Sequence, residues 1–317
     1  MSTSGNSFPA KILLFGEYTI LLGSTALSIP YHAFSAELTL PSSDENTSSK
    51  KQVTSNQHLF TFYNYLAGVG DALTQIIDFE RFHHDLIRGL YLQSTIPAGY
   101  GLGSSGTLVA AIYDRFARNH RSQDGMLAEE GMLRLKNVFS EMESFFHGKS
   151  SGFDPIVSYL KKALLLRSDG VPEQICMPQG FSESGAGIFL LDTVKTGKTA
   201  PLVNLFLYRF KSAGEITDEG KILCGLINNV VKAFLSFPDY NFWNLIKKVS
   251  LLQKDEFRPM IPEKFIPIWS EGIETDMFYM KLCGSGGGGY LLGFALDLKR
   301  AMTFLQERGY YPLLIPL

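Results

Sequence analysis

The sequence predicts a two-domain protein that combines helices with strands, and three observations support this prediction. Its 317 residues are more than one compact hydrophobic core usually holds. Apolar residues recur at helical spacing in some segments and alternate with polar residues, as in strands, in others. The composition changes across residues 168–185 (SDGVPEQICMPQGFSESG), so we predict one domain over residues 1–170 and a second over residues 171–317.

Composition and charge narrow the class of protein. Hydrophobic residues at 45% and charged residues at 19% are typical of a soluble globular chain. The net charge of −2 creates no overall positive field, which argues against nucleic acid or an anionic membrane as partner. The three cysteines, Cys176, Cys224 and Cys283, fit neither a disulfide framework nor a CxxC metal motif, and we expect reduced, buried thiols. The apolar run at residues 12–15 is too short for a signal peptide or a membrane span, so we expect a cytoplasmic protein. As a separate expectation, the protein is a monomer or homodimer.

The first third of the chain predicts a hairpin followed by helices. Residues 11–38 predict strand, turn and strand, because KILLF is apolar, GEYTILLGS contains glycines and AFSAELTL alternates apolar with polar residues. Residues 41–57 are almost wholly polar and predict a solvated loop. Helical spacing predicts helices at residues 73–82 and 127–146, and the segment 82–97 between them predicts a strand that leads into a loop.

The remainder predicts further helices and strands in a mixed order. An amphipathic pattern predicts a helix at residues 107–120, and another helical stretch follows Asp154-Pro155. Alternation predicts strands at residues 185–193 and 203–210. The last predicted elements are helices at 219–236 and 242–254, a glycine-rich hairpin at 281–296 and a final helix.

Glycines at positions 99, 101, 103 and 106 precede the helix predicted at 107–120. The segment 101–106 (GLGSSG) matches GxGxxG, but no acidic residue ends a second parallel strand about 20 residues later, as a dinucleotide site requires. A P-loop requires Lys-Ser/Thr after its last glycine, where this chain has Gly106-Thr107. Glycines nevertheless allow close backbone approach, and amides at a helix N-terminus attract phosphate. The segment therefore predicts a phosphate-binding loop, with a serine-capped tight turn as the alternative.

Two carboxylates and a lysine are candidates for chemistry beside such a loop. Glu143 could bind Mg²⁺ bridging ATP phosphates, or it could lie on a solvated helix face. Asp154 could orient or deprotonate an acceptor hydroxyl, and Asp-Pro is also an ordinary helix N-cap with proline at the first helical position. Lys11 precedes an apolar run, either as a surface lysine beside a strand or as a cation that stabilises a transferring phosphoryl group.

A second glycine cluster, at Gly284 and residues 286–289, lies between two apolar segments. A flexible linker is not bracketed in this way. The cluster predicts a backbone nest near phosphates or substrate, with a wide hairpin as the alternative.

In order along the chain, these segments resemble the motifs of the GHMP kinase superfamily, most closely those of mevalonate kinases. Residues 9–18 (PAKILLFGEY) are similar to PGKxxLxGEH, and residues 97–106 (PAGYGLGSSG) resemble PxGxGLGSSA. Residues 281–289 (KLCGSGGGG) resemble KLTGAGGGG, and residues 147–154 (HGKSSGFD) resemble HGNPSGxD. The resemblance implies an α+β fold in two lobes, the first like ribosomal protein S5 domain 2 and the second ferredoxin-like, with the site in the cleft.

The resemblance also implies ATP and Mg²⁺ as cofactors. Ser105, with Ser104 as the alternative, and Glu143 would hold Mg²⁺. The residues expected to contact ATP are Gly101, Leu102, Gly103, Ser104, Ser105, Gly106, Gly284, Ser285 and Gly286.

The same resemblance assigns catalytic and substrate residues. Asp154 would be the base or hydroxyl orienter, with Lys11 as its cationic neighbour. Glu17 would lie near the acceptor, a small-molecule alcohol, with Tyr18 beside it.

Mevalonate is the first candidate acceptor. Tyr18 replaces the usual histidine and Gly106 the usual alanine, and phosphomevalonate kinases can show both replacements. Phosphomevalonate is therefore the alternative, with Lys149 as a candidate cation for its added phosphate, whereas the HGxxSGxD stretch favours mevalonate. Sugar kinases of the superfamily are disfavoured, because their characteristic opening motif is absent from this sequence. A non-catalytic relative that binds a metabolite is a third hypothesis, against which the retained charged residues argue.

Overall fold

Helices and antiparallel strands are interspersed along the whole chain. The computed structural model describes residues 5–41, 49–118, 128–148, 150–197, 199–212 and 214–317. Its strands are β1 (Phe8–Phe15), β2 (Ala26–Thr39), β3 (Tyr91–Ser94), β4 (Leu164–Leu166), β5 (Pro172–Gln174), β6 (Gly187–Asp192), β7 (Lys211–Ser212), β8 (Glu215–Ile216), β9 (Tyr279–Leu282), β10 (Tyr290–Ala295) and β11 (Leu313–Ile315). Its helices are α1 (Lys50–Val69), α2 (Asp71–Ile76), α3 (Phe79–Ile87), α4 (Ser104–Phe116), α5 (Glu129–His147), α6 (Phe153–Leu160), α7 (Gly180–Glu183), α8 (Thr199–Phe210), α9 (Asp218–Leu235), α10 (Asn241–Glu256), α11 (Ile266–Glu274) and α12 (Leu298–Gln306).

The first sheet begins with the antiparallel hairpin of β1 and β2, which confirms the strand, turn and strand predicted at residues 11–38. Lys11 lies opposite Pro30 and Ile12 opposite Ile29. Among the described residues, the strand order is β1-β2-β4-β5, and β3 also pairs with β2. Every residue of β1 is buried, because α4 and α6 pack against this strand. A charged side chain on β1 is therefore held inside the protein.

The second sheet contains the glycine-rich hairpin. Its order within the described residues is β11-β6-β10-β9, and β9 and β10 pair antiparallel, with Leu282 opposite Leu291. This arrangement confirms the strand predicted at residues 185–193 and the hairpin predicted at 281–296. The predicted helices that correspond to α4, α5, α6, α9, α10 and α12 are also present.

Aromatic packing joins the two sheets. Phe15 of β1 stacks on Phe294 of β10, with ring centroids 5.3 Å apart, and meets the edge of Phe234 of α9 at 5.6 Å. The first sheet ends with Gln174 and the second begins with Gly187. The division at residue 170 stays a prediction.

The loop predicted at residues 41–57 is wrong from residue 50 onwards, where α1 begins. Ser49 and Gln52 form a capping box, in which each side chain accepts a hydrogen bond from the other residue's backbone N–H. The residues that α1 buries lie on one helical face: Leu59, Phe62 and Leu66. The polar residues thus form the exposed first turns of a helix that tertiary packing holds, while residues 42–48 lie outside the described part of the chain.

The strand predicted at residues 203–210 is also wrong, because this segment belongs to α8. Phe206 and Phe210 are buried, whereas Tyr208 between them is 88% exposed. A short apolar run with this pattern satisfies both a strand and a helix. Packing against the neighbouring aromatic side chain of Phe257 selects the helix.

Helix α3 replaces the first part of the strand predicted at residues 82–97. The Asp78 carboxylate accepts a hydrogen bond from the backbone N–H of Arg81 and caps this helix, which runs to Ile87. The strand is confined to β3. The cap also divides the helix predicted at residues 73–82 into α2 and α3.

The cysteines agree with their prediction in part. All three are free thiols, and Cys283 is buried, but Cys176 is exposed and Cys224 is partly exposed. Cys176 lies in the connection between the two sheets, and connections run over the surface because their backbone groups need water. Among the described residues, no helix combines the length and the apolar character that crossing a membrane requires.

Candidate active site

The first glycine loop, residues 99–106, wraps into the N-terminus of α4. Gly99, Gly101 and Gly103 have φ of +77°, +77° and +74°, which L side chains rarely adopt. Gly103 is the N-cap of α4 and has no side chain with which to cap it, so the serine-capped alternative is wrong. The carbonyl of Leu102 accepts a hydrogen bond of 3.0 Å from the backbone N–H of Lys11, which fixes the loop to β1. The amides of the first turn of α4 are thereby oriented as in an anion site.

The second glycine loop, residues 283–289, packs directly on the first. A Cβ at Gly284 would lie 3.1 Å from the Cα of Gly101, and a Cβ at Gly289 would lie 2.7 Å from the Cα of Tyr100. Only residues without side chains allow the two backbones to approach this closely. Segments that are distant in sequence thus form one surface.

A third segment, residues 193–197, completes this junction. The backbone N–H of Gly197 donates to the carbonyl of Gly99 at 3.2 Å, and the backbone N–H of Gly289 donates to the carbonyl of Lys195 at 2.5 Å. The Thr193 hydroxyl donates to the carbonyl of Gly289 at 2.7 Å. The sequence analysis did not identify this segment. The signal that could have found it is a polar stretch with a glycine directly after a predicted strand.

Replacing Gly101 with alanine tests the contact between the two glycine loops. A Cβ at this position would lie 2.5 Å from the carbonyl oxygen of Cys283. Gly185→Ala is the matched control, because Gly185 has φ of +84° but no atom within 4 Å of its added Cβ. We expect both variants to lose about 1–2 kcal/mol for the left-handed backbone and Gly101→Ala to lose about 1–3 kcal/mol more for the clash. Urea unfolding measures both losses, and equal losses would contradict the contact.

Lys11 and Asp154 form an ion pair at the foot of the first glycine loop. Their Nζ and Oδ2 atoms are 2.8 Å apart, and the side chains are 5% and 33% exposed. Burial disfavours the charge on Lys11, but the charge of Asp154 and its hydrogen bond outweigh burial and raise the pKa of Lys11 above its usual value. A Cβ at Gly103 would lie 2.7 Å from the Lys11 side chain. Lys11 is therefore a buried cation against the loop, and the surface-lysine alternative is wrong.

Asp154 lies inside the first turn of α6. The N-cap is Gly152, with φ of +70°, and the helix begins at Phe153, so the prediction of Asp154 as N-cap is wrong. A Cβ at Gly152 would lie 2.1 Å from the carbonyl oxygen of Lys136, so the close approach to α5 selects glycine as the cap. Because Gly152 and not Asp154 is the N-cap, the Asp154 carboxylate pairs with Lys11 instead of capping the helix.

Glu143 of α5 is buried, with 3% of its surface exposed, so the solvated-face alternative is wrong. The Ser105 hydroxyl donates to its Oε1 at 3.1 Å, and the Ser150 hydroxyl donates to its Oε2. Burial and then the negative charge of Asp154 raise the pKa of Glu143 to about 7, against the hydrogen bond from Ser150 and the charge of Lys11. Sequence reasoning singled out Ser105 and Glu143 but missed Ser150.

This donor set fits Mg²⁺. A carboxylate and two hydroxyls supply hard oxygen atoms, and the repulsion between Glu143 and Asp154 is what a divalent cation relieves. Within the described residues, no group of three or more His, Cys, Asp or Glu side chains forms a complete metal cage. Magnesium commonly binds through one or two carboxylates together with substrate phosphates. Ser105, which contacts Glu143, is the serine that fits, and Ser104 is exposed.

Glu17 and Tyr18 both contact the segment that leads into the second glycine loop. Glu17 is 3% exposed and forms an ion pair with Lys281, which is fully buried. Burial, which outweighs the cation, raises the pKa of Glu17. Oε2 of Glu17 has no hydrogen-bond partner among the described residues. The Tyr18 hydroxyl donates to the carbonyl of Ser285. Sequence reasoning quoted Lys281 in a motif but did not anticipate its charge pairing, and the substrate-binding role of Glu17 and Tyr18 stays a prediction.

Comparisons with known proteins find a matching sequence profile and similar folds. Residues 64–162 match the sequence profile described as the GHMP kinases N terminal domain. The chain shares its fold over nearly its whole length with solved kinase structures, which confirms the predicted α+β fold.

Three of these solved structures illustrate the likeness. The mevalonate kinase of Methanococcus jannaschii is 19% identical with a TM-score of 0.61, and the match covers 98% of this chain and 96% of that one. The Lactococcus lactis galactokinase complexed with galactose is 15% identical with a TM-score of 0.65, covering 98% and 92% of the two chains. The Streptococcus pneumoniae phosphomevalonate kinase in complex with phosphomevalonate and AMPPNP is 14% identical with a TM-score of 0.64, covering 98% and 99%. No curated protein matches the sequence.

Proposed function

We propose that this chain is an ATP-dependent kinase that phosphorylates the primary hydroxyl of a small-molecule alcohol, with mevalonate as the first candidate. The observation that carries the proposal is the Lys11–Asp154 ion pair packed against the first glycine loop. A loop suited to phosphates and a carboxylate suited to a hydroxyl thereby lie side by side. Phosphoryl transfer needs this arrangement, since its catalysis consists mainly of positioning and charge stabilisation.

The two members of the ion pair have different access to a substrate. Asp154 is one-third exposed, whereas Lys11 is buried. Asp154 is therefore the member that contacts the acceptor hydroxyl, and Lys11, whose pKa is raised, keeps its proton and orients the carboxylate. The hydroxyl oxygen bonds to the γ-phosphorus, the bond from that phosphorus to the bridging oxygen of ADP breaks, and the hydroxyl proton passes to Asp154 and then to solvent.

The Mg²⁺ that such kinases require would be held by Glu143 and Ser105 together with ATP phosphates. When bound, it neutralises phosphate charge. Ser150 holds the second oxygen of Glu143 through its hydroxyl, so the carboxylate has a defined orientation.

Both departures from the mevalonate kinase motifs have packing reasons in this chain. A Cβ at Gly106 would lie 2.9 Å from the backbone nitrogen of Pro155, so an alanine would press on the turn that presents Asp154. Tyr18 is 5% exposed, with its hydroxyl on the backbone of the second glycine loop. The two departures therefore do not by themselves favour phosphomevalonate over mevalonate, and Lys149, the candidate cation for a second phosphate, lies outside the described residues.

An acceptor panel tests the function. Purified protein with ATP and Mg²⁺ is assayed for ADP release against mevalonate, phosphomevalonate, galactose and homoserine. We expect turnover with mevalonate. Preference for phosphomevalonate would select the alternative kinase, and ADP binding without turnover of any acceptor would favour the non-catalytic relative.

The magnesium assignment predicts a difference between adjacent serines. We expect Ser105→Ala to raise the Mg²⁺ concentration at half-maximal activity by about tenfold, because its hydroxyl contacts Glu143. Ser104→Ala is the matched control, since Ser104 is exposed and we expect an unchanged Mg²⁺ requirement. Mg²⁺ titrations at saturating ATP measure both, and the reverse order would move the metal to Ser104.

A further inference from the structure

Tyr18 has an unusual backbone conformation for a buried aromatic residue. Its φ is 63° and its ψ is −42°, in a strained region that non-glycine residues rarely occupy. Such a conformation persists only where the surrounding contacts over-determine it. The contacts of Tyr18 therefore indicate what this conformation achieves.

The ring of Tyr18 is held on two sides. It stacks on Phe206 with ring centroids 5.0 Å apart and meets the edge of Phe257 at 6.0 Å. Only 5% of the residue is exposed. Burial also raises the pKa of Tyr18, so the hydroxyl keeps its proton and is a hydrogen-bond donor.

The hydroxyl donates to the carbonyl of Ser285, in the middle of the second glycine loop. This residue is flanked by Gly284 and Gly286, with φ of +74° and +71°, so the local backbone has little conformational restraint of its own. Before Ser285, near the end of β9, Lys281 forms an ion pair with Glu17. Two adjacent residues of the N-terminal segment thus hold both ends of residues 281–285.

We propose that Tyr18 is a positioning residue for the nucleotide: its hydroxyl fixes the carbonyl of Ser285 and thereby orients the amides of the second glycine loop toward the phosphates. The inference rests on the proposed function, because it assumes that this loop binds ATP. It assigns Tyr18 to the nucleotide side of the reaction, acting through the loop, in place of a contact with the acceptor alcohol.

Tyr18→Phe removes the hydroxyl and keeps the ring packing. The matched control is Tyr31→Phe, since Tyr31 is 3% exposed and its hydroxyl donates to a backbone carbonyl at 3.3 Å, that of Leu314 in β11, which belongs to neither glycine loop. We expect Tyr18→Phe to weaken ADP binding and raise KM for ATP by about fivefold, the effect of one net hydrogen bond. KM for the acceptor should stay unchanged. Tyr31→Phe should change neither nucleotide constant.

Three measurements separate the outcomes. ADP affinity by calorimetry and the two KM values identify the substrate that is affected, and hydrogen exchange of the peptide spanning residues 282–289 is expected to be faster in Tyr18→Phe alone. The positioning role would be overturned if Tyr18→Phe left both ADP affinity and hydrogen exchange unchanged, or if it raised only KM for the acceptor. In either case, turnover by the wild-type protein would still support the proposed function. A wild-type protein that binds no ADP would overturn both.

Discussion

Asp154→Asn is expected to reduce phosphoryl transfer by about 10²- to 10⁴-fold, the contribution of one general acid–base group, while ATP binding stays close to wild type. Asparagine retains an oxygen that accepts the hydrogen bond from Lys11, so the buried lysine keeps a partner. It cannot accept the proton of the acceptor hydroxyl. Steady-state kcat and calorimetric nucleotide affinity measure the two effects separately.

Asp218→Asn is the matched control for this variant. Asp218 also lies in the first turn of a helix, and its carboxylate is also 2.8 Å from a lysine, Lys221, but both side chains are exposed. We expect no change in kcat or in nucleotide affinity. If Asp154→Asn instead lost turnover and nucleotide binding together, Asp154 would have a structural role.

Lys281→Met is expected to destabilise the fold by about 3–5 kcal/mol, because it leaves the buried carboxylate of Glu17 without a cation. The double variant Glu17→Gln/Lys281→Met removes both charges and should recover most of this loss. Urea unfolding at neutral pH measures both. Lys221→Met, which breaks an exposed pair, is the control and should leave the free energy of unfolding unchanged.

The destabilisation in Lys281→Met should depend on pH with a defined sign. Burial raises the pKa of Glu17 in the folded protein above its unfolded value. A raised folded pKa means that the folded state binds the proton more tightly, so this stability is present at low pH and is lost as pH rises through the folded pKa. The loss should be smaller at acidic than at alkaline pH, and a loss that grew toward acid would contradict the burial of an unpaired Glu17.

The elements that could be predicted from sequence are those with a long, unambiguous pattern. The helices α5, α9 and α10 carry one periodicity over many residues, and the hairpin is marked by a cluster of glycines between two apolar segments. The errors fell where a short pattern satisfies two structures, as in α8, or where polar residues form the exposed turns of a helix, as in α1. In both cases buried aromatic or aliphatic partners from elsewhere in the chain decided the outcome.

The candidate site divides in the same way. Lys11, Glu143 and Asp154 could be identified as candidates because carboxylates, a lysine and glycine loops suit phosphoryl transfer. Each also had an ordinary alternative, which only its surroundings could remove. The pairing of Lys281 with Glu17 and the contacts of segment 193–197 were missed, because these partners are distant in sequence. The hydrogen bond from Ser150 to Glu143 was missed because it depends on how the turn between α5 and α6 folds.

The sequence by itself determined which chemical groups are present: glycines where two backbones approach, and acidic and basic residues at motif spacing. It also determined the alternation of apolar and polar residues that predicts strands. Only the tertiary structure decided which charges meet. Lys11 pairs with Asp154 because α6 packs against β1, and Lys281 of β9 pairs with Glu17, which follows β1. Ion pairing depends on distance in space and on burial, and a linear pattern records neither.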